Sequence, residues 1–334
     1  MPGLLAHADL VEGFGDRIRA AFAHRGRAVD LLLLPPAPDE RLDDDALAAV
    51  ELACFTGEWR TDPVFTRRFF GALLRAPNLR WVHLPNAGVD DPVFARLLAR
   101  GVRLTTSSAA KGEPIAQSAI AGLLAIARGF PAWSDAQRRR EWRPHEPAPP
   151  DLRGQAMVVV GVGSIGGAVA RIARAIGLRV VGVRRSPRRA DDPVDEIVPP
   201  ARLGEVAAAA DWLVLACPLV AETRGLVDAA LLGRLPRGAG LVNVARGAVV
   251  DEPALVAALR SGHLRGAHLD VFAEEPLPAR SPLWELPGVI VTPHDAGASA
   301  GNAGRVAGLF LDNLDRWLSG APLVGEVASG DGAG

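Results

Sequence analysis

An apolar run that leads into three spaced glycines constrains the fold of this chain more than any other feature. Residues 157–160 are Met-Val-Val-Val, and Gly161, Gly163 and Gly166 follow at once. A G-x-G-x-x-G turn between a strand and a helix is typical of dinucleotide sites, because it allows a tight turn, close approach of backbone to the pyrophosphate and close helix packing. The N–H groups and the positive end of the helix dipole then face the phosphates.

The residues after these glycines complete a strand–helix–strand unit. Apolar residues recur at helical spacing from Ile165 to Ile176, and Gly177 follows them as a helix stop. Residues 178–183 then form a second apolar run. The glycine pattern alone is a weak signal in a chain with 36 glycines, but with these neighbours it predicts a nucleotide-binding βαβ unit.

Short apolar strands alternate with helical segments in two series along the chain, the second starting at Met157. This alternation predicts an α/β protein with a Rossmann-type doubly wound parallel sheet and a smaller, flavodoxin-like α/β domain. The amphipathic segment 305–318 is expected to return to the first domain and make it discontinuous. The predicted domains are therefore residues 1–112 with 301–334, which bind substrate, and residues 113–300, which bind the dinucleotide.

Composition excludes several classes of function. A formal net charge of −1 over 334 residues does not suggest nucleic acid or an anionic membrane as a partner. No stretch is long and apolar enough to span a bilayer, and two cysteines make neither a disulfide framework nor a metal site. We expect a cytoplasmic protein without a resident metal.

The polar, proline-rich segment 133–153 has two interpretations. It can be a solvated linker, or it can be an arm that packs on a partner subunit with Trp133 and Trp142 as anchors. The residues alone do not decide between them.

Three ionisable residues follow three successive predicted strands of the second series. Arg246, Glu275 and His294 come after strands 241–244, 267–271 and 289–292. Loops beyond the carboxyl ends of such strands carry the chemistry of open α/β sheets. A histidine can protonate a carbonyl oxygen, a carboxylate favours its imidazolium form, and an arginine can grip a substrate carboxylate. Each residue alone has an ordinary structural explanation, but the joint placement favours hydride transfer to a 2-oxo acid.

The motifs, in this order and spacing, resemble the D-isomer-specific 2-hydroxyacid dehydrogenases. The resemblance covers about residues 79–318 and is carried by segments 161–166, 217–219, 222–225, 243–251, 266–278, 281–284 and 292–297. It implies hydride transfer between NAD(P)H and a small 2-oxo acid or D-2-hydroxy acid, as in glyoxylate/hydroxypyruvate reductases. Arg246 would bind and polarise the substrate, Glu275 would tune the histidine, and His294 would be the acid/base. A homodimer is also implied.

The same resemblance implies the binding residues. Asp270 would hold the nicotinamide carboxamide, and the loop Asn86, Ala87, Gly88 and Val89 would offer N–H groups to the substrate carboxylate, as a backbone nest can. The other implied cofactor-binding residues are Gly161, Gly163, Ser164, Ile165, Gly166, Cys217, Pro218, Val244, Ala245 and His294.

The end of the second nucleotide-domain strand bears on the choice of coenzyme. Residues 182–186 are Gly-Val-Arg-Arg-Ser, without the acid that commonly accepts hydrogen bonds from the ribose of NAD. Arg184, Arg185 and Ser186 would instead suit a 2′-phosphate. Lys111 is the only lysine beside 36 arginines, so the missing acid counts for more than the arginines. We therefore expect NADP(H) in preference to NAD(H).

Two other functions stay open at this point. The chain could be a dinucleotide-sensing binding protein like the corepressors that share this scaffold, or an enzyme that oxidises formate or phosphite. Coenzyme binding without turnover would indicate the sensor, and substrate profiling would separate the enzymes.

Overall fold

The computed structural model describes residues 1–37, 39–56, 62–86, 88–89 and 91–327. The chain divides into two compact units, Met1–Ala110 with the segment from Ser299 onward, and Lys111–Ala298. Each unit is built around its own parallel sheet.

The strands are, in chain order, β1 Gly3–Ala6, β2 Asp30–Leu32, β3 Val50–Cys54, β4 Trp81–Leu84, β5 Arg103–Thr106, β6 Ala156–Val160, β7 Arg179–Val183, β8 Glu196–Val198, β9 Trp212–Leu215, β10 Ala239–Asn243, β11 Leu264–Leu269 and β12 Val289–Val291. The α-helices are α1 Ala8–Ala23, α2 Asp44–Ala49, α3 Pro63–Arg75, α4 Pro92–Ala99, α5 Ser108–Ala127, α6 Phe130–Arg138, α7 Ser164–Ala175, α8 Leu203–Ala207, α9 Ala229–Arg234, α10 Glu252–Arg260 and α11 Asn302–Ser319. Within these ranges no single helix is long and apolar enough to cross a membrane; α5 and α6 pass that test only as a pair, bent by 70°.

The first unit has a five-stranded sheet in the order β2-β1-β3-β4-β5. This is the flavodoxin-like order, in which the direction of winding reverses beside β1. One face packs on an aromatic cluster that includes Phe55, Phe69 and Phe94. On the other face, Trp81 stacks on Phe310 of α11 with ring centroids 5.5 Å apart, and α11 lies against α1. The last helix therefore completes the core of the first unit.

The second unit has seven parallel strands in the order β12-β11-β10-β9-β6-β7-β8. Winding starts at β6, proceeds outward to β8, and resumes at β9 on the other side, which is the doubly wound pattern. Apolar residues of α5, such as Leu123, pack with Met157 and Trp212 on one face of the sheet. The predicted α/β class with a Rossmann-type parallel sheet is confirmed.

The first strand and helix of the chain are absent from the sequence prediction. β1 has only four residues and gives a weak signal, whereas α1 carries Leu10, Phe14, Ile18 and Phe22 at helical spacing, a signal that the prediction missed. Both are nevertheless central, since β1 lies between β2 and β3 and Leu10, Ile18 and Phe22 of α1 are buried. The apolar face of α1 therefore packs in the core as its periodicity predicts, while the short β1 depends on its neighbours in the sheet.

The segment 133–153 begins inside α6 and then folds back on it. The indole N–H of Trp133 donates to the carbonyl of Arg143 (3.0 Å), and its ring lies 4.1 Å from that of His145. Trp142, by contrast, is 97% exposed. Trp133 therefore holds the segment to its own helix, and Trp142 is presented to the outside.

Candidate functional site

The glycine turn lies at the point where the second sheet reverses its winding. Gly161 follows β6 with φ of +92°, and a Cβ there would meet backbone of Cys217, just after β9, at 2.7 Å. A Cβ on Gly166 would lie 1.8 Å from the carbonyl oxygen of Gly161. Beside Gly163, no heavy atom lies within 4 Å of the position a Cβ would take. The turn is thus closely packed at its two ends and open in the middle, where α7 begins at Ser164, as a pyrophosphate cradle requires.

The loop after β9 lies against the glycine turn. Cys217 is buried, which raises the pKa of its thiol to about 11 and makes it an apolar surface rather than a nucleophile. The hydroxyl of Thr223 donates to the carbonyl of Pro218 (2.7 Å) and holds the loop. Val244 and Ala245, after β10, are buried beside it. Within the described ranges, no three His, Cys, Asp or Glu side chains are grouped as a metal ion would need.

The end of β7 adjoins the glycine turn, because the N–H of Gly161 donates to the carbonyl of Val183 (2.9 Å). The three residues expected to bind a 2′-phosphate follow here and differ in their surroundings. Arg185 and Ser186 are exposed, whereas Arg184 forms a bidentate ion pair with Asp192 at 2.6 and 2.7 Å. Arg184 is thus engaged inside the protein.

The three predicted catalytic residues follow three adjacent strands, β10, β11 and β12. His294 and Glu275 are paired: His294 Nδ1 lies 2.9 Å from Glu275 Oε2 and 3.1 Å from Oε1. Their side chains are 28% and 22% exposed. The carboxylate makes Nδ1 the protonated nitrogen, so that Nε2 is the position at which a proton can be gained or lost. Such a pair can deliver a proton and recover it from solvent.

His294 has a left-handed backbone, with φ of +54°. A non-glycine residue in this region is uncommon and persists only when its surroundings hold it. Asp270 supplies that hold, because its carboxylate accepts the N–H groups of Asp295 (2.9 Å) and Ala296 (3.1 Å). The side chain of Asp295 is exposed. The sequence predicted only a ligand role for Asp270 and gave no sign that it fixes the turn of the predicted acid/base residue, His294.

A buried histidine extends this network. Thr292 Oγ1 donates to Asp270 (2.7 Å), so it accepts from Nε2 of His268, 3.2 Å away. A Cβ on Gly122 of α5 would overlap the His268 ring at 2.2 Å, so the glycine makes room for the imidazole. Burial lowers the pKa of His268, which favours the neutral ring. His268 and Asp270 are two residues apart and share a face of the chain, which is the one sequence signal that could have linked them.

Local bonds also fix the loop of Arg246. The Asn243 side chain accepts from the N–H of Ala245 (3.0 Å) and donates to the carbonyl of Arg246 (3.1 Å). Nη1 of Arg246 donates to the carbonyl of Ala245 (2.7 Å). A Cβ on Gly247 would lie 1.9 Å from the backbone of Phe272, in the loop that carries Glu275. The absence of a side chain at residue 247 therefore lets the two loops pack in direct contact.

The predicted carboxylate-binding loop follows β4 in the first unit. Ser107 fixes the start of this loop. The N–H of Ser107 donates to the carbonyl of Asn86 (3.1 Å), and the Ser107 hydroxyl donates to the carbonyl of Leu84 (2.8 Å). Gly88 and Val89 are part of the described chain, whereas Ala87 lies outside it.

A line of buried hydrogen bonds ends at Ser107. Because its hydroxyl donates to Leu84, it accepts from Nε2 of His83 (3.0 Å). Nδ1 of His83 then accepts from Thr105 (2.8 Å), which in turn accepts from the indole of Trp81 (2.9 Å). Burial lowers the pKa of His83 to about 4, although a hydrogen bond with the backbone of Val306 opposes this shift, so the ring is neutral. The strand register that pairs His83 with Thr105 creates this line.

Comparison with known proteins identifies relatives along most of the chain. Residues 120–296 match the family described as D-isomer specific 2-hydroxyacid dehydrogenase, NAD binding domain. A glyoxylate reductase of Korarchaeum cryptofilum is 35% identical over 258 residues, which are 76% of this chain and 76% of that protein. A D-3-phosphoglycerate dehydrogenase of Mycobacterium bovis is 38% identical over 71% of this chain, but the match spans only 44% of its length.

Solved structures resemble the whole chain. A D-isomer-specific 2-hydroxyacid dehydrogenase from Xanthobacter autotrophicus, in complex with NADPH and MES, has a TM-score of 0.78 and 32% identity, with 98% of each chain covered. An NADPH-dependent glyoxylate/hydroxypyruvate reductase from Sinorhizobium meliloti, in complex with NADP and sulfate, has a TM-score of 0.77 and 29% identity, with 98% of this chain and 99% of that one covered.

Proposed function

The chain belongs to the D-isomer-specific 2-hydroxyacid dehydrogenase family, and on this premise we propose that it reduces a small 2-oxo acid, such as glyoxylate or hydroxypyruvate, with NADPH. Where a stereocentre forms, the product is the D-2-hydroxy acid. The observation that carries the proposal is the partly exposed His294–Glu275 pair on the loops after β12 and β11, beside the loop of Arg246 after β10. A proton donor and an anion-binding cation at the same edge of the sheet match the needs of a 2-oxo acid.

Each residue has a defined task in this reaction. When bound, the nicotinamide supplies a hydride to the carbonyl carbon. His294 gives the proton on Nε2 to the carbonyl oxygen, which becomes the hydroxyl, and takes a new proton from solvent. Glu275 keeps the ring oriented through Nδ1 and stabilises the imidazolium. Arg246 holds the substrate carboxylate and polarises the carbonyl.

The glycine turn and Asp270 would hold the coenzyme. The open space at Gly163 and the start of α7 suit the pyrophosphate. Asp270 Oδ1 accepts from Thr292 and Asp295, and Oδ2, which shares the N–H of Ala296 with Oδ1 (3.2 Å), is the oxygen we assign to the carboxamide. The loop from Asn86 to Val89 would bind the substrate carboxylate through its N–H groups.

We propose NADP(H) as the preferred coenzyme. Exposed Arg185 and Ser186 at the end of β7 favour a 2′-phosphate, and two structural relatives were crystallised with NADPH or NADP. Measured kcat/KM values for NADPH and NADH test this, and a preference for NADH would refute it.

We also propose a homodimer in which α6 and the segment to residue 153 contact the second copy. Trp142 and Phe130 are exposed at 97% and 57%, which is unusual for large apolar side chains on a monomer surface. Sedimentation velocity of wild type and Trp142→Ser tests it: the variant should dissociate at higher concentration, and a monomeric wild type would refute the dimer. The cytoplasmic location stays a prediction.

A spectrophotometric panel of 2-oxo acids, each with NADPH and NADH, tests the proposed function directly. Glyoxylate or hydroxypyruvate should be turned over best. Coenzyme binding with no turnover of any acid would favour the sensor, and oxidation of formate or phosphite would favour the third function. Neither alternative is favoured by the relatives compared above.

A further inference from the structure

The ion pair between Arg184 and Asp192 is unusual because both side chains are largely buried. Nη1 and Nη2 of the guanidinium face the two carboxylate oxygens at 2.7 and 2.6 Å, while the side chains are only 10% and 7% exposed. Other ion pairs among the described residues, such as Arg138–Asp135 and Arg280–Glu274, are exposed, and exposed pairs contribute little to stability. Breaking a buried pair is costly because it leaves one charge without a partner.

The same guanidinium shapes the loop between the two residues. Its Nε donates to the carbonyl of Ser186 (3.0 Å), and Nη2 also donates to the carbonyl of Pro187. From the other side, Asp192 accepts the N–H of Arg189 (2.6 Å). Five charge-assisted bonds thus hold residues 184–192 in one conformation. The Arg184 guanidinium lowers the pKa of Asp192, which keeps the carboxylate charged.

Arg185 and Ser186, next to this ion pair, are available for contacts with a ligand. The guanidinium of Arg188 donates to the carbonyls of Val194 and Asp195. Among the described residues, the structure records no hydrogen bond or ion pair for the side chains of Arg185 and Ser186, which are exposed. They follow Val183, whose carbonyl is bonded to Gly161 of the glycine turn. This is the side of the turn where the coenzyme ribose lies in doubly wound folds.

We propose that Arg184 and Asp192 are a positioning pair for coenzyme selection: they hold Arg185 and Ser186 toward a ribose 2′-phosphate without touching it. The pair also occupies both oxygens of Asp192, a carboxylate that would otherwise be available to accept ribose hydroxyls and to repel a phosphate. This inference rests on the proposed preference for NADP(H), and it replaces the expected phosphate contact of Arg184 with an indirect role.

Binding titrations by nicotinamide fluorescence test the inference, because NADPH and NADH differ only in the 2′-phosphate. The variant is Asp192→Asn, and its matched control is Asp191→Asn, which removes the same charge from the exposed neighbouring residue. We expect Asp192→Asn to weaken NADPH binding about tenfold, the size of one misplaced charged hydrogen bond, and to leave NADH within about twofold. The control should leave both coenzymes within about twofold, because it alters only screened surface charge.

Two results would overturn the inference. If Asp192→Asn binds NADPH as tightly as wild type or more tightly, the pair does not position the ligands. If NADPH and NADH weaken equally, its role is purely structural. Arg184→Lys, which keeps the charge but loses the fork, should reproduce the selective loss and decides the question if Asp192→Asn does not fold. Wild type that prefers NADH overturns the coenzyme proposal and this inference together, whereas a wild type that prefers NADPH beside an unaffected variant overturns only the inference.

Discussion

The carboxyl ends of the two sheets are built on opposite principles. In the second unit, the loops after β10, β11 and β12 carry ionisable groups that are partly exposed, such as the His294–Glu275 pair. In the first unit, the strand end before Asn86 is supported by neutral groups with no exposure, including His83, Thr105 and Ser107. Both regions contain a histidine with a hydrogen-bonded ring, but only His294 is exposed to solvent.

The difference separates the two demands of a site for an anionic substrate. A proton donor needs a charge partner and access to water, so it tolerates exposure. A loop that binds an anion through N–H groups needs only a fixed backbone, which buried and fully bonded neutral groups supply well. The histidine residue type therefore reports nothing by itself; the surroundings of the ring decide its role.

Replacing the exposed histidine should have the largest effect. His294→Ala is expected to lower kcat about a thousandfold, because the proton donor is lost, while Kd for NADPH stays within about twofold. Stopped-flow turnover and coenzyme fluorescence measure the two quantities. Near-normal turnover would remove His294 from the mechanism and with it the contrast between the two regions.

The buried His83 should instead affect how the free energy of unfolding depends on pH. Its pKa is lowered from 6.5 to about 4, so the unfolded chain binds a proton in that window and the folded chain does not. The free energy of unfolding should therefore fall as pH drops from 6.5 to 4, by up to about 3 kcal/mol. Urea unfolding of wild type and His83→Gln at each pH isolates this contribution, since titration of the other groups cancels. Equal pH dependence in both proteins would contradict it.

Arg246→Lys sharpens the contrast on the charged side. Lysine keeps the charge but cannot form the paired bonds of a guanidinium with a carboxylate, so kcat/KM for the 2-oxo acid should fall about a hundredfold. NADPH binding should be unchanged. Steady-state kinetics with a saturating coenzyme measure it, and unaltered kinetics would exclude Arg246 from the substrate site.

Ser107→Ala tests the neutral side and should have the smallest effect. It removes the hydroxyl between His83 and the carbonyl of Leu84. We expect KM for the 2-oxo acid to rise about tenfold and kcat to change little, because the loop is loosened while the proton donor is intact. A fall in kcat with constant KM would contradict the proposal that Ser107 supports the substrate-binding loop.

Features that depend on residues close together in sequence could be predicted from the sequence alone. The glycine turn, the parallel sheets, and the placement of Arg246, Glu275 and His294 after three strands all follow from short-range spacing. The structure adds that these three strands, β10, β11 and β12, are neighbours in the sheet. The functions of these residues stay predictions.

The supporting bonds could not be predicted, because they join residues distant in sequence. His83 meets Thr105 only through the register of β4 and β5, and a shift by one residue would turn these side chains to the other face. The bonds of Asp270 to Asp295 and Ala296 depend on a left-handed turn at a non-glycine residue, which local propensity disfavours. The sequence predicts a phosphate contact for Arg184, because it does not show that Asp192, eight residues later, is buried with it as an ion-pair partner.

The missing side chain at Gly247 has a practical consequence for engineering. Because a Cβ there would collide with the backbone of Phe272, even alanine would force apart the loops that bear Arg246 and Glu275. A laboratory library intended to broaden acceptor range should hold this residue constant. Diversity is better introduced at Gly88 and Val89, which follow the buried strand β4 in the proposed substrate-binding loop.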